Sequence, residues 1–232
     1  MHQSAHDEMK RCVERYMPND RRYDVVDFGS RCSARQILTH RDLLHDYDCN
    51  ITGVDIKPGR NVDLIMRKPY RIPLQRNSAD VIFTGQAFEH IPFFWVSFLE
   101  LARILRPTGF LFMTVPSRGH VHQAPYDCWR YYPDGMRALG AFSGLEVVEA
   151  RTDFPPTLPG RRRHNYREVG RSTSYWGDTV GVFRKRPGRQ PIPIAATRVV
   201  LRWWANRVDD LEDATVAGSA TGEPLSAPSM AV

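Results

Sequence analysis

Residues 78–109 read SADVIFTGQAFEHIPFFWVSFLELARILRPTG, and this stretch decides the fold. Val81-Ile82-Phe83-Thr84 is a short apolar run bounded by polar residues and closed by Gly85, the pattern of a buried strand. Phe94, Phe98, Leu101 and Leu105 follow at helical spacing. Arg103 and Arg106 in the last turn face the negative end of the helix dipole, and Pro107-Thr108-Gly109 stops the helix. A second apolar run, Phe110 to Val115, comes straight after. Strand, helix and strand at this spacing predict a right-handed crossover between parallel strands. Ligands of such sheets sit at the carboxyl ends of the strands. Chemistry is therefore expected at the polar knot Gln86-Ala87-Phe88-Glu89-His90 and in the loop after Val115.

Outward from this core, the pattern repeats. A helix is expected over Ser4–Met17, strands over Tyr23–Phe28, Ile51–Ile56 and Asn61–Met66, and a helix over Ser33–Tyr47 with Ile37, Leu38 and Leu44 as its apolar side. Pro69 and Pro73 leave no room for a long helix before Ala79. A helix over Asp134–Ser143 and strands over Leu145–Ala150 and Asp178–Arg184 complete an α/β doubly wound sheet with helices on both faces. One domain is expected over 1–186, its N-terminal helix within 1–20, followed by a tail over 187–232. Within the tail, 197–211 has an amphipathic pattern (Leu201, Trp204, Val208 and Leu211 on one face), and the small polar residues after 214 read as disordered. The tail helix can dock on the domain, on a second subunit in a homodimer, or on a membrane surface; the domain is the plainest partner.

Composition narrows the class. At 232 residues with 42% hydrophobic content there is enough chain for one good core. Cys12, Cys32, Cys49 and Cys128 form no C-x-x-C pair, and the first residues are polar and charged, so a reduced, cytoplasmic protein without a zinc knuckle is expected. The most apolar stretch, Ile91–Leu105, is broken by Glu100 and Arg103 and is too short to span a bilayer. A net charge of +6 suits an anionic partner without specifying nucleic acid.

Asp27-x-Gly29 closes the first expected strand, and Asp55, followed by Ile56, closes the second. A glycine there lets backbone approach a ligand, and an acid there can accept two ribose hydroxyls. The turn Gly29-Ser30-Arg31-Cys32-Ser33 has one glycine where a pyrophosphate cradle wants three. An adenosine-like cofactor without a pyrophosphate is the expectation.

In this order the pieces resemble the class I S-adenosylmethionine-dependent methyltransferases: VVDFGS resembles their first motif, ITGVDI their second, and residues 79–115 their fourth-to-fifth-strand region. The resemblance implies a Rossmann-like sheet of seven strands, mostly parallel with the last antiparallel. It also implies S-adenosylmethionine held by Asp27, Gly29 and Ser30 at its methionine end and by Asp55 and Ile56 at its ribose, with Gln86 and Ala87 beside the sulfur. Residues 117–135 and 176–183 resemble a subgroup containing O-methyltransferases of sugars and polysaccharide building blocks. The second and third glycines of the first motif are missing. The acid that usually meets the adenine amino group is replaced by Arg67-Lys68-Pro69-Tyr70, so adenine contact is expected from Tyr70 or Ile72.

Methyl transfer to a hydroxyl needs an in-line approach and a base. His122, with Asp127 to fix its tautomer, is the first candidate and His90 the second. Trp129, Arg130 and Tyr131 are candidate substrate contacts, with aromatics able to stack on a sugar. His120, His122 and Asp127 could instead hold a divalent metal, of transition type rather than magnesium. Arg161, Arg162, Arg163 and Arg167 offer a clamp for an anionic acceptor. The rival readings are a methyltransferase-like module without catalysis and a nucleic-acid methyltransferase. The second lacks the Asn/Asp-Pro-Pro-aromatic motif after the fourth strand, where Gly85-Gln86-Ala87-Phe88 stands.

Overall fold

The computed structural model describes residues 3–32, 36–122, 126–153, 176–188 and 192–209. The described elements are α1 (Gln3–Tyr16), β1 (Tyr23–Phe28), β2 (Cys49–Asp55), β3 (Leu64–Ile65), β4 (Ala79–Gly85), α2 (Phe94–Ile104), β5 (Leu105–Arg118), α3 (Pro133–Ser143), β6 (Leu145–Thr152), β7 (Gly177–Lys185) and α4 (Ile192–Val208), with 3-10 turns at Asp42–Leu44 and Phe88–His90. The strands form one seven-stranded sheet in the order β3-β2-β1-β4-β5-β7-β6. β1 to β5 pair in parallel, and β7 runs antiparallel between β5 and β6. This is a Rossmann-like sheet, and the final strand is antiparallel, as the resemblance implied.

The central strands are buried on both faces, as parallel strands with helices on each side must be. On β1 the alternation is visible: Val26 and Phe28 enter the core under α2 and α3, while Tyr23 and Val25 enter the core under α1. Phe83 and Phe112 continue the α1 side, and Ile82, Leu111 and Met113 the other. α2 is apolar almost all round because it lies between the sheet and α4. Its one buried acid, Glu100, is held by Arg103 at 2.8 Å and by Arg198 of α4 at 2.7 Å. Burial raises the Glu100 carboxyl, but these two guanidinium groups outweigh it and hold the carboxyl below its ordinary value.

The long helix expected over 33–47 is absent from the described part, residues 36–47, which holds only the 3-10 turn. Ile37, assigned to the buried side of that helix, is 85% exposed. Asp42 instead accepts both the backbone N–H and the hydroxyl of Thr39 (2.7 and 2.9 Å), a local capping bond that competes with a continuous helix. The strand expected over 61–66 shrinks to Leu64–Ile65, and the tail helix begins earlier than its amphipathic pattern, at Ile192. α4 packs on the domain: Ala205 is fully buried, and Trp204 lies 4.9 Å from the Phe93 ring. The Lys68 ammonium donates to Asp209 O at 2.7 Å, just past the end of α4. Arg161–Arg167 and the segment after 209 lie outside the described residues, as does Ser33, the expected start of the missing helix.

Candidate active site

The carboxyl ends of β1 and β4 and the segment that follows β1 enclose a small cavity lined by Asp27, Gly29, Ser30, Thr39, His40 and Gln86, among others. Gly29 leaves β1 at φ +77°, and a Cβ on it would stand 2.5 Å from the Cβ of Ala87, so only glycine fits between these two strand ends. The N–H groups of Gly29 and Ser30 both point to Val54 O, which draws the turn against β2. Asp55 organises the same turn from the other side: its two oxygens accept the N–H groups of Arg31 (3.0 Å) and Lys57 (3.1 Å). Four candidate cofactor residues, Asp27, Gly29, Ser30 and Asp55, thus gather at adjacent strand ends.

Asp27 does not stand free. The Nδ1–H of His40 donates to Asp27 Oδ1 at 2.7 Å, since the carboxylate can only accept. Both side chains are buried, and the imidazole stacks on Phe83. Its Nε2 is buried without a hydrogen-bond partner, as are the hydroxyls of Ser30, Thr84, Thr114 and Ser117. Buried polar atoms without partners are rare in a finished core. Here they cluster at the ligand end of the sheet, where a cofactor would satisfy some of them. The donor and acceptor set fits S-adenosylmethionine in kind: a carboxylate-held imidazole and hydroxyls for its charged methionine end, and an acid at the ribose position. His40 was missed from the sequence because it lies inside what reads as a helix, thirteen residues from its partner.

Gln86, at the tip of β4, has φ +55°, a conformation uncommon for a residue with a side chain. Its N–H bonds to Thr114 O, and its amide donates to Asp178 Oδ1 of β7 at 3.0 Å. The tip is thereby pinned from two strands. The next residues form the 3-10 turn. Glu89 is fully buried there, with no hydrogen-bond partner on either oxygen, and burial pushes its carboxyl up to about 8. His90 donates from Nδ1 to Tyr126 O and turns Nε2 to within 3.6 Å of Glu89 Oε1; burial lowers its pKa.

The loop after β5 brings His122 to this turn. The His90 and His122 rings are 5.1 Å apart, edge to face, and Trp176 closes the other side of His122 at 5.4 Å. Asp127 accepts the His122 N–H at 2.8 Å and lies 3.3 Å from His122 Nδ1. Arg130 grips the same carboxylate in a fork, at 2.5 and 2.7 Å, and holds it well below the ordinary carboxylate range. Candidate catalytic residues from two loops, His90, His122 and Asp127, therefore form one cluster, tied to the tip of β4 by the His90 N–H, which donates to Ala87 O.

Three expected roles change. Tyr131 is 4% exposed and donates its hydroxyl to Phe88 O at 2.9 Å, so it pins the loop to the turn and shows no face to a sugar. Tyr70 is fully buried against Phe93 and offers the cavity no surface for adenine. The expected metal trio of His120, His122 and Asp127 gives way to another: Asp127 is occupied by Arg130, His120 packs on Trp176, and the donor atoms that converge are those of Glu89, His90 and His122. Trp129 donates to Ile91 O and Pro92 O and packs on Phe94, an anchoring role with part of its ring left exposed.

Comparison with known proteins bears on the fold that carries this site. Residues 37–113 match the family model described as a methyltransferase domain. No curated protein matches the chain. Among solved structures, one is described as a putative sarcosine dimethylglycine methyltransferase from Galdieria sulphuraria. It shares 17% identity at a TM-score of 0.56, covering 79% of this chain and 86% of that one. Another is the Burkholderia thailandensis 1,6-didemethyltoxoflavin-N1-methyltransferase with bound 1,6-didemethyltoxoflavin and S-adenosylhomocysteine, at 14% identity and a TM-score of 0.55, covering 79% of each chain. A third is the putative methyltransferase of Haloferax volcanii in complex with the Trm112 activator, at 19% identity and a TM-score of 0.54, covering 77% of this chain and 89% of that one. The methyltransferase-domain match is confined to residues 37–113, and the sheet around it has the fold of these solved methyltransferases. The acceptors printed for these neighbours differ from one another, and at such identities the likeness carries the fold and no acceptor. Among the described residues, no helix is long and apolar enough to cross a membrane.

Proposed function

We propose that this methyltransferase acts on a hydroxyl of a small acceptor, a sugar or related saccharide-like metabolite. The observation that carries the reading is the meeting of His90 and His122 at the turn that follows Gln86 and Ala87, the strand end where the methyl-bearing sulfur is expected. S-adenosylmethionine, when bound, supplies an electrophilic methyl group on a sulfonium. Asp27, Gly29 and Ser30 hold its methionine end, and Asp55 with Ile56 holds its ribose. His40 sets the direction of the Asp27 carboxylate and offers its own Nε2 to the ligand. His122, oriented by Asp127, removes the hydroxyl proton while the oxygen bonds to the methyl carbon and the sulfur–carbon bond breaks. Arg130 keeps Asp127 ionised and in place. Trp129 and Arg130 border the acceptor side.

The unpartnered hydroxyls and the glycine-only approach at the strand ends support a working cofactor site over a relic that has lost it. The reading is tested by calorimetric titration with S-adenosylhomocysteine, followed by a transfer assay from labelled S-adenosylmethionine to a panel of sugars. Micromolar binding and label on a sugar hydroxyl are expected. No binding at millimolar ligand would discard the reading, and label found only on amines or nucleic acid would move the acceptor to another class.

A further inference from the structure

We propose that Glu89, His90 and His122 form a site for one divalent transition metal ion, which binds and acidifies the acceptor hydroxyl. One donor atom from each residue lies within 4.8 Å of the others. Donors sharing an ion at about 2.1 Å stand roughly 3 to 4 Å apart, so a modest turn of the half-exposed His122 closes the set.

Each donor carries the support that a ligand needs. Glu89 is a fully buried carboxyl whose two oxygens have no hydrogen-bond partner, and Oε1 faces His90 Nε2 at 3.6 Å. A carboxylate taken out of water in this way is costly unless it is paired or coordinates a metal. His90 gives its Nδ1 proton to the backbone carbonyl of Tyr126, which fixes the tautomer and leaves the Nε2 lone pair directed at Glu89. The Nδ1 of His122 lies 3.3 Å from the Asp127 carboxylate and 3.4 Å from His120 O, so its proton belongs there and Nε2 is left for the ion. Asp127 is itself clamped by Arg130. Carbonyl and carboxylate partners on the far nitrogens of two histidines are the usual outer support of metal ligands.

Two imidazoles and one carboxylate suit manganese, iron, cobalt or zinc better than magnesium, which prefers oxygen donors. Three protein ligands leave positions for water and for the acceptor oxygen. An ion-bound hydroxyl loses its proton near neutral pH, as ion-bound water does. In the metal-bound enzyme the proton then leaves to solvent, oxygen–carbon bond formation and sulfur–carbon bond cleavage proceed as before, and His122 acts as a ligand in place of a free base. The inference rests on the proposed hydroxyl methylation for its role but not for its site.

The test uses the full chain stripped with a chelator and titrated with cobalt(II), read by its visible absorption and by calorimetry. One ion per chain is expected, bound at least tenfold more weakly by Glu89→Gln and by His122→Asn, with S-adenosylhomocysteine affinity retained as the control for folding. Absence of stoichiometric cobalt binding, or equal binding by both variants, overturns the site. Methyl transfer that continues in chelator without cobalt binding overturns the metal and leaves the hydroxyl reading standing. Cobalt bound at these residues without any transfer to hydroxyls supports the site and removes the proposed acceptor.

Discussion

The two ends of the sheet are built on opposite rules. At the amino end of the parallel strands, the buried charges of Asp80 and Lys185 are matched. Asp80 accepts from Arg21 at 3.1 Å, from Arg106 at 2.6 Å and from the N–H of Asp24 at 2.9 Å. Lys185, at the end of antiparallel β7, donates to Asn77 Oδ1, Ala102 O and Leu105 O at 2.9, 2.7 and 2.6 Å. At the carboxyl end, Ser30, His40, Thr84, Glu89 and Thr114 keep buried polar atoms without partners. The first end spends its polar groups on holding the chain; the second reserves them for something that binds. Stability and function are therefore expected to separate when either end is altered.

The largest effect is expected at His122. His122→Ala lowers turnover about a hundredfold or more while the melting temperature and S-adenosylhomocysteine affinity stay as they were. Unchanged turnover would take His122 out of the reaction. Next comes Asp55→Ala, which weakens S-adenosylhomocysteine binding by about 2 to 3 kcal/mol, the scale of hydrogen bonds to a charged group. Equal affinity by calorimetry would mean that the ribose lies elsewhere. At the opposite end, Asp80→Ala is expected to cost about 2 kcal/mol of stability in urea unfolding with ligand affinity untouched. A loss of ligand binding there would erase the contrast between the two ends.

The last effect is a pH dependence. Burial pushes the Lys185 ammonium down to about 8, whereas lysine in an unfolded chain titrates near ~10.4. Between these values the unfolded state holds more protons, so stability rises with pH in that window. Urea midpoints measured across it should climb for the natural chain and stay level for Lys185→Met; parallel curves for the two would remove Lys185 as the cause.

Legibility in the sequence followed the range of the interactions. The crossover from Ala79 to Val115 was readable because strand and helix periodicities are local, and so were Asp27, Gly29 and Asp55, which close strands. His40 was not, because its place depends on a buried carboxylate on another element, and its neighbours carry a helix-like spacing that the Thr39–Asp42 bond overrides. Tyr131 looked like a stacking platform because three aromatics fall within four positions, yet burial separates it from Tyr132 beside it, which is 53% exposed. Glu89 read only as one member of the polar knot after the fourth strand. That it is sealed from water and meets a histidine from a loop more than thirty residues on is a fact of tertiary structure alone.

Asp178 gives the site a reach that its own loops do not have. One oxygen holds Gln86 in its uncommon conformation; the other accepts the hydroxyl of Ser4, in the first turn of α1, at 3.0 Å. The first turn of α1 and the tip of β4 are thus two arms of one lever with its fulcrum on β7. Lifting the first turn of α1 loosens the fulcrum, so an alteration there would be felt in the backbone of Gln86 at the tip of β4.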